Sequence, residues 1–333
     1  MTLRIGVMGA GAIGCFFGAR LQAAGYDVRF VGRQSLADDV ARDGLRVDEL
    51  GGTRCCELRP GEVDFQTSAA ALRDRQLVLM CVKGLDTESA ALELAKHLPR
   101  RATVLSLQNG VRNVETLARC LPGRRVLAGM VPFNVVREGT TLSQATSGTI
   151  FIDGAAAPRV ARAMTDVGLP LSSSYEMPGV LWCKLLFNLN NAINALSGLP
   201  LREELSDRGY RRVLARCISE GLGALKLAGI KPVRIGRMIP ELAARVLPWP
   251  DAVFTRVARA MVDIDPQARS SMYDDLVRAR PTEINLINGE VVELGASFGR
   301  PTPQNARIVE LVRAAERAGR GSPRLPAAML AVH

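Results

Sequence analysis

The sequence predicts a doubly wound α/β domain followed by an all-helical domain. Three observations predict it. Strand-like apolar runs alternate with helical patterns up to about residue 173 and then stop. Long helical patterns take over beyond that point. The glycine-rich stretch Gly9-Ala10-Gly11-Ala12-Ile13-Gly14 joins the first strand to the first helix. Such alternation is the pattern of a parallel sheet with helices on its faces.

The elements follow in order. Residues 3–9, "LRIGVMG", predict a buried strand, and "AGAIGCFFGARLQAAG" predicts a helix stopped by Gly25. "YDVRFVGR" predicts a second strand, which closes a βαβ unit of about 30 residues. "GLRVDEL" and "TRCCELR" read as strands joined in a hairpin around Gly51-Gly52. Further strands are expected at "QLVLMCVK", "TVLSLQNG", "RVLAGMVPFN" and "GTIFID", with helices at roughly 86–98 and 111–119 between them. "LSSSYEMP" marks the boundary. Helical patterns then cover roughly 176–197, 206–229, 234–247, 281–297 and 303–318. The expected domains are therefore 1–173 and 174–320, with a loose tail at 321–333 that carries two prolines.

Composition narrows the functions. A length of 333 residues suits two domains. The 47% hydrophobic and 23% charged fractions exclude a disordered chain. The net charge of +10 admits a nucleic acid, an anionic membrane or an anionic small molecule. Aromatics make up only 5%, and no Lys/Arg block interleaves with them, which argues against nucleic acid. No uncharged, wholly apolar run reaches membrane-spanning length. The seven cysteines form no CxxC pair or Cys/His cluster, so no metal site is expected. Reduced thiols in a cytoplasmic protein fit them best. Of the two histidines, His97 sits near the end of a surface helix and His333 is the last residue. Neither is placed for chemistry, so the proton donor of an enzyme would be another residue type.

The glycine motif has a specific physics. Gly9 permits a tight turn, Gly11 lets backbone approach a pyrophosphate, and Gly14 lets helix and strand pack closely. The helix N-terminus then faces the phosphate charge. Gly9, Ala10, Gly11, Ala12, Ile13 and Gly14 are the expected cofactor loop. At the end of the second strand, where an acid would bind a ribose 2′-hydroxyl, the sequence "FVGRQS" offers Arg33 instead. Arginine can hold a 2′-phosphate bidentately, which predicts NADP(H) rather than NAD(H).

Polar residues close two apolar strands: Lys83 after "LVLMCV" and Asn109 in "TVLSLQNG". The carboxyl ends of parallel strands are where this architecture binds ligands. The apolar helix "VLWCKLLFNLNNAINALSGLP" carries Lys184, Asn188, Asn190, Asn191 and Asn194. At about 100° per residue, Asn188 lies about 40° and Asn191 about 20° from Lys184. Those three share a face suited to a polar substrate. Asn190 and Asn194 point elsewhere, where hydrogen bonding between helices would account for them. Lys184 alone could also be a lysine whose stem packs and whose head reaches water.

Taken together, GxGAIG at Gly9–Gly14, Lys83, "QNG" at Gln108–Gly110, "WCKLLFN" at Trp182–Asn188 and "RSSM…TEIN…NG" at Arg269–Gly289 give the chain a recognisable profile. It resembles the ketopantoate reductases (2-dehydropantoate 2-reductases) over nearly its whole length. The resemblance implies a Rossmann-type NADP-binding domain followed by an all-helical domain like that of 6-phosphogluconate dehydrogenases. It implies NADPH-dependent reduction of 2-dehydropantoate to (R)-pantoate, in pantothenate and coenzyme A synthesis. It makes Lys184 the proton donor and Glu283 its assistant. It makes Lys83 and Asn109 contacts to cofactor and substrate, and Ser271 a contact to the substrate carboxylate. The remaining substrate contacts expected are Lys184, Asn188 and Asn191. The partner is then a small 2-oxo acid, and a homodimer is compatible with such helical domains.

The chain departs from the family pattern at Ala192, where many members carry a second asparagine, and at Ala268. "NALSG" is shifted by two residues, which an insertion or a local bulge in the helix would explain. Asn191 and Asn194 both stay open for the second role. The rival functions are reduction of another 2-oxo acid or ketone, and NADPH sensing without turnover.

Overall fold

The structure is a computed structural model and describes residues 2–257 and 267–332. The chain folds into two compact units, Met1–Met177 and Pro178–His333. Among the described residues, no helix is long and apolar enough to cross a membrane.

The first unit is built on an eight-stranded sheet. Its strands run, edge to edge, Leu171–Ser174, Ile150–Asp153, Arg125–Met130, Thr103–Ser106, Leu77–Met80, Arg4–Met8, Asp27–Val31 and Asp64–Gln66. Neighbours are parallel except Ile150–Asp153 against Arg125–Met130. The central runs "LVLM" and "TVLS" are buried throughout, as expected where helices cover both faces of a parallel sheet. From Arg4–Met8 the chain first builds outward to Asp27–Val31 and Asp64–Gln66. It then crosses to Leu77–Met80 and builds the other way. The order therefore reverses beside Arg4–Met8, and the crevice at such a reversal is where this fold binds ligands.

The helix Ala12–Ala23 is buried from Gly14 to Leu21. It has the sheet on one side and a second, four-stranded sheet on the other. That sheet runs Arg54–Leu58, Leu45–Asp48, Thr141–Gln144, Val135–Glu138. Its first two strands form the hairpin expected around Gly51-Gly52, both with positive φ. The partner strands Val135–Glu138 and Thr141–Gln144 escape sequence reading, as do Asp64–Gln66 and Leu171–Ser174. Each is three or four residues long and polar on at least one side, too short to show a clear alternation. The helices Gln34–Asp43 and Pro158–Asp166 also go beyond the sequence expectation.

The second unit is helical. Its longest helix, Arg208–Leu227, is opened by Asp207, whose carboxylate accepts the Gly209 N–H at 2.6 Å. The expected helix over 176–197 is two helices, Met177–Asn188 and Asn190–Ser197, interrupted at Leu189. The expected helix over 234–247 shrinks to Pro240–Val246, because proline occupies its first position and cannot extend it backward. The expected helix over 281–297 becomes a short Ile284–Leu286 turn followed by Asn288–Ser297. The tail is packed rather than loose. Leu330 is buried, Gln304 Nε2 donates to Leu330 O at 2.7 Å, and Tyr210 Oη donates to Leu325 O at 2.9 Å. The Leu325 N–H also donates to Leu196 O at 2.9 Å and the Val332 N–H to Gln304 Oε1 at 3.2 Å, ties that its prolines, Pro323 and Pro326, leave free to form.

Candidate active site

Gly9 lies at φ +95°, a region that favours glycine. Its N–H and that of Ala10 donate to Val31 O at 3.0 and 2.9 Å, which holds the loop against the end of the second strand. A Cβ on Gly9 would sit 2.4 Å from Val82 N, and one on Gly14 2.4 Å from Gly9 O. The protein's own packing thus requires both glycines. Gly11 differs: a Cβ there would meet nothing within 4 Å. Its bareness serves no internal contact and leaves open space beside the backbone. Helix Ala12–Ala23 begins here with no acid in its first turn and no side-chain cap. Its first N–H groups and its dipole are suited to an anion. The loop therefore fits the pyrophosphate of a dinucleotide.

Arg33 follows the second strand by two residues and is exposed. It precedes helix Gln34–Asp43, and its guanidinium has no ion-pair or hydrogen-bond partner among the described residues. The strand end it follows is the one that anchors Gly9 and Ala10.

The Lys83 and Asn109 loops meet the glycine loop. The Cys81 N–H donates to Met8 O at 2.8 Å, so Val82 lies against Gly9. Lys83, exposed, opens a short turn at Gly84–Asp86. Asn109 is half-buried and is followed by Gly110 at φ +99°. The Gln108 side chain is buried and donates to Val82 O at 3.0 Å, tying the two loops together. The first unit therefore gathers Gly9–Gly14, Arg33, Lys83 and Asn109 at the carboxyl end of its central strands.

In the second unit, Lys184 is half-buried among buried Trp182, Cys183, Leu185 and Leu186. Loss of hydration pulls its pKa down to about 8, while the negative charge of Glu283 acts in the opposite sense. Lysine and glutamate, a hundred residues apart in sequence, are thus electrostatic neighbours. Asn188 and Asn191 are half-buried on the same two helices. Ser270 Oγ donates to Asn191 O at 2.9 Å and accepts the Tyr273 N–H at 3.2 Å, so it caps helix Ser271–Val277. Ser271, the first residue of that helix, is exposed.

Asn194 is wholly buried, and its amide is engaged inside the protein. Its Nδ2 donates to Leu199 O at 2.9 Å and Glu204 Oε2 at 2.6 Å. Its Oδ1 accepts the Ser270 N–H at 2.8 Å. Sequence reasoning missed Glu204, which is buried and whose pKa is raised to about 8 by desolvation. Its sequence context, "LREELS", is that of an ordinary surface helix. Because its folded pKa exceeds its unfolded value, Glu204 favours folding at low pH. That contribution is complete below the unfolded pKa and is lost as pH rises through about 8. Glu204→Gln is expected to flatten the stability profile between about pH 4.5 and 8, read from urea midpoints across that range.

A doubly wound dinucleotide fold with a helical unit that sets a desolvated lysine beside a glutamate defines a Rossmann-type oxidoreductase. The family model described as ketopantoate reductase PanE/ApbA matches residues 5–156, and its C-terminal counterpart matches residues 176–316. The chain belongs to the ketopantoate reductase family. A 2-dehydropantoate 2-reductase of Archaeoglobus fulgidus is 30% identical over 94% of this chain and 98% of its own length. The crystal structure of a PanE/ApbA family ketopantoate reductase from Ralstonia eutropha is 30% identical, with a TM-score of 0.82, and covers 95% of this chain and 99% of that one. A D-mandelate dehydrogenase solved with NADH and anilino(oxo)acetate shares the fold at 19% identity, with a TM-score of 0.79 over 95% of this chain and 99% of that one.

Proposed function

We propose that the chain reduces 2-dehydropantoate to (R)-pantoate with NADPH, in the route to pantothenate and coenzyme A. The observation that carries this reading is Lys184, desolvated and beside Glu283, in a family whose relatives are named for that activity. The bound nicotinamide supplies the hydride. The residues of this chain do the rest. Gly9–Gly14 receive the pyrophosphate, and Arg33 takes the 2′-phosphate. Lys83 and Asn109 contact both ligands. As the ketone oxygen gains charge, Lys184 donates its proton, and Glu283 keeps it charged and oriented. Asn188 and Asn191 bind the substrate's polar groups, and Ser271 binds its carboxylate. Asn194, fully used inside the protein, is left out of substrate binding, which favours Asn191 for the second asparagine role. The cofactor domain is assigned to 1–173 and the catalytic domain to 174–320, with 321–333 as a tail. A cytoplasmic homodimer belongs to the same reading.

The pH dependence tests the proton donor. Reduction needs charged Lys184, so kcat/KM for 2-dehydropantoate should fall as pH rises through about 8. Oxidation of pantoate needs the neutral amine and should rise over the same interval. A flat reduction profile from pH 7 to 9 would remove Lys184 from the role.

Arg33 tests the cofactor. Arg33→Ala is expected to raise KM for NADPH by about 10- to 100-fold, the worth of a charge-assisted pair. KM for NADH should stay within about twofold, since that cofactor lacks the 2′-phosphate. Equal losses for both cofactors would contradict the assignment.

A further inference from the structure

Four buried polar side chains lie behind the Lys83 and Asn109 loops: Ser106, Gln108, Thr87 and Asn113. They form one directed chain of hydrogen bonds. Ser106 Oγ donates to Gln108 Oε1 at 3.1 Å. Gln108 Nε2 uses its two protons on Val82 O at 3.0 Å and Thr87 Oγ1 at 2.7 Å. Thr87 Oγ1 donates to Asn113 Oδ1 at 3.0 Å, and Asn113 Nδ2 donates to Asn109 O at 2.6 Å. Each of these bonds has one donor and one acceptor, and the hydroxyl of Thr87 both gives and receives.

Burying four polar side chains is costly unless all are satisfied, and apolar residues would fill the same volume more cheaply. The chain's geometry indicates what the polar solution provides. Val82 immediately precedes Lys83, and Thr87 follows the Gly84–Asp86 turn that Lys83 opens. At its other end the chain grips the carbonyl of Asn109 itself. The network therefore fixes both flanks of one loop and the backbone of the other. It couples loops that follow different strands, Leu77–Met80 and Thr103–Ser106.

We propose that Gln108, Thr87 and Asn113 are positioning residues that set the backbones of Lys83 and Asn109 for ligand binding. The inference rests on reading Lys83 and Asn109 as ligand contacts. These three residues touch neither ligand; they act through the two that do.

The test is a double-mutant cycle read as NADPH affinity by fluorescence titration, with thermal melts to confirm folding. Asn113→Ala should weaken NADPH binding about tenfold, on the order of one lost positioning hydrogen bond. In an Asn109→Ala background, Asn113→Ala should add nothing, because its effect passes through Asn109. Thr87→Val should reproduce the loss, and Thr87→Ser, which keeps the hydroxyl, should restore wild-type affinity. Additive losses in the double variant, or unchanged affinity in a folded Asn113→Ala, would overturn the proposal. If Thr87→Val does not fold, the Asn113 cycle and the Thr87→Ser variant still decide the matter. The readout is cofactor affinity, so a wild-type protein that binds NADPH without reducing the acid would refute the functional reading and leave this test standing.

Discussion

Lys184→Ala is expected to lower kcat for 2-oxo acid reduction by about 10²- to 10⁴-fold, the usual contribution of a positioned general acid. NADPH affinity should stay within about twofold, because the dinucleotide loop belongs to the other unit. Three facts set the size of this effect. His97 ends a surface helix and is not placed to substitute, and the expectation for His333 lies outside the described residues. Burial brings the Lys184 pKa to about 8, close to the working range, where a donor is most effective. The opposing influence is the negative charge of Glu283, so Glu283→Gln should lower the pKa further and shift the falling limb of the rate profile to lower pH. An alanine variant with undiminished kcat would discard the mechanism, whatever its effect on KM.

Gly11→Ala should weaken cofactor binding strongly without harming the fold. The backbone at Gly11 is extended, at φ −97° and ψ −156°, so any residue can adopt it. A methyl group there meets no protein atom within 4 Å. Its thermal midpoint should therefore match wild type. The same methyl would stand where the pyrophosphate must approach, and NADPH affinity should fall on the order of a hundredfold. Gly9→Ala provides the contrast. It strains a positive φ and drives Cβ to 2.4 Å from Val82 N and 2.7 Å from Cys81 C, so stability and binding should fall together, the former by about 1–3 kcal/mol. If Gly11→Ala binds NADPH normally, the open space beside Gly11 is not the cofactor's.

The features that the sequence discloses share one property: their signal is local. The glycine loop is six consecutive residues between an apolar strand and a helix. Lys83 and Asn109 stand out because each ends an apolar run. The Gly51-Gly52 hairpin is likewise a contiguous signal. What stays hidden depends on partners far along the chain. Thr141–Gln144 pairs with Val135–Glu138 in a local hairpin and also with Leu45–Asp48, almost a hundred residues earlier, and nothing in its four residues announces the second pairing. Asn194 is a case of the same kind. Helical angles place it off the Lys184 face, but its bonds to Glu204 and Ser270 arise only in the packed unit. The interruption at Leu189 also lies between Lys184 and Asn191, so the angle for Asn191 assumes a regular helix that the structure does not keep. Gln108 is visible in "QNG", but its role depends on Thr87 and Asn113 from other elements.

The central claim is that this site reduces 2-dehydropantoate with NADPH. The chain departs from the family pattern at Ala192 and Ala268, so selectivity is the direct measurement. Initial rates of NADPH oxidation should be compared for 2-dehydropantoate and a panel of straight-chain, branched and aromatic 2-oxo acids. The highest kcat/KM is expected for 2-dehydropantoate. A preference for another acid by orders of magnitude, or NADPH binding with no turnover of any acid, would contradict the claim.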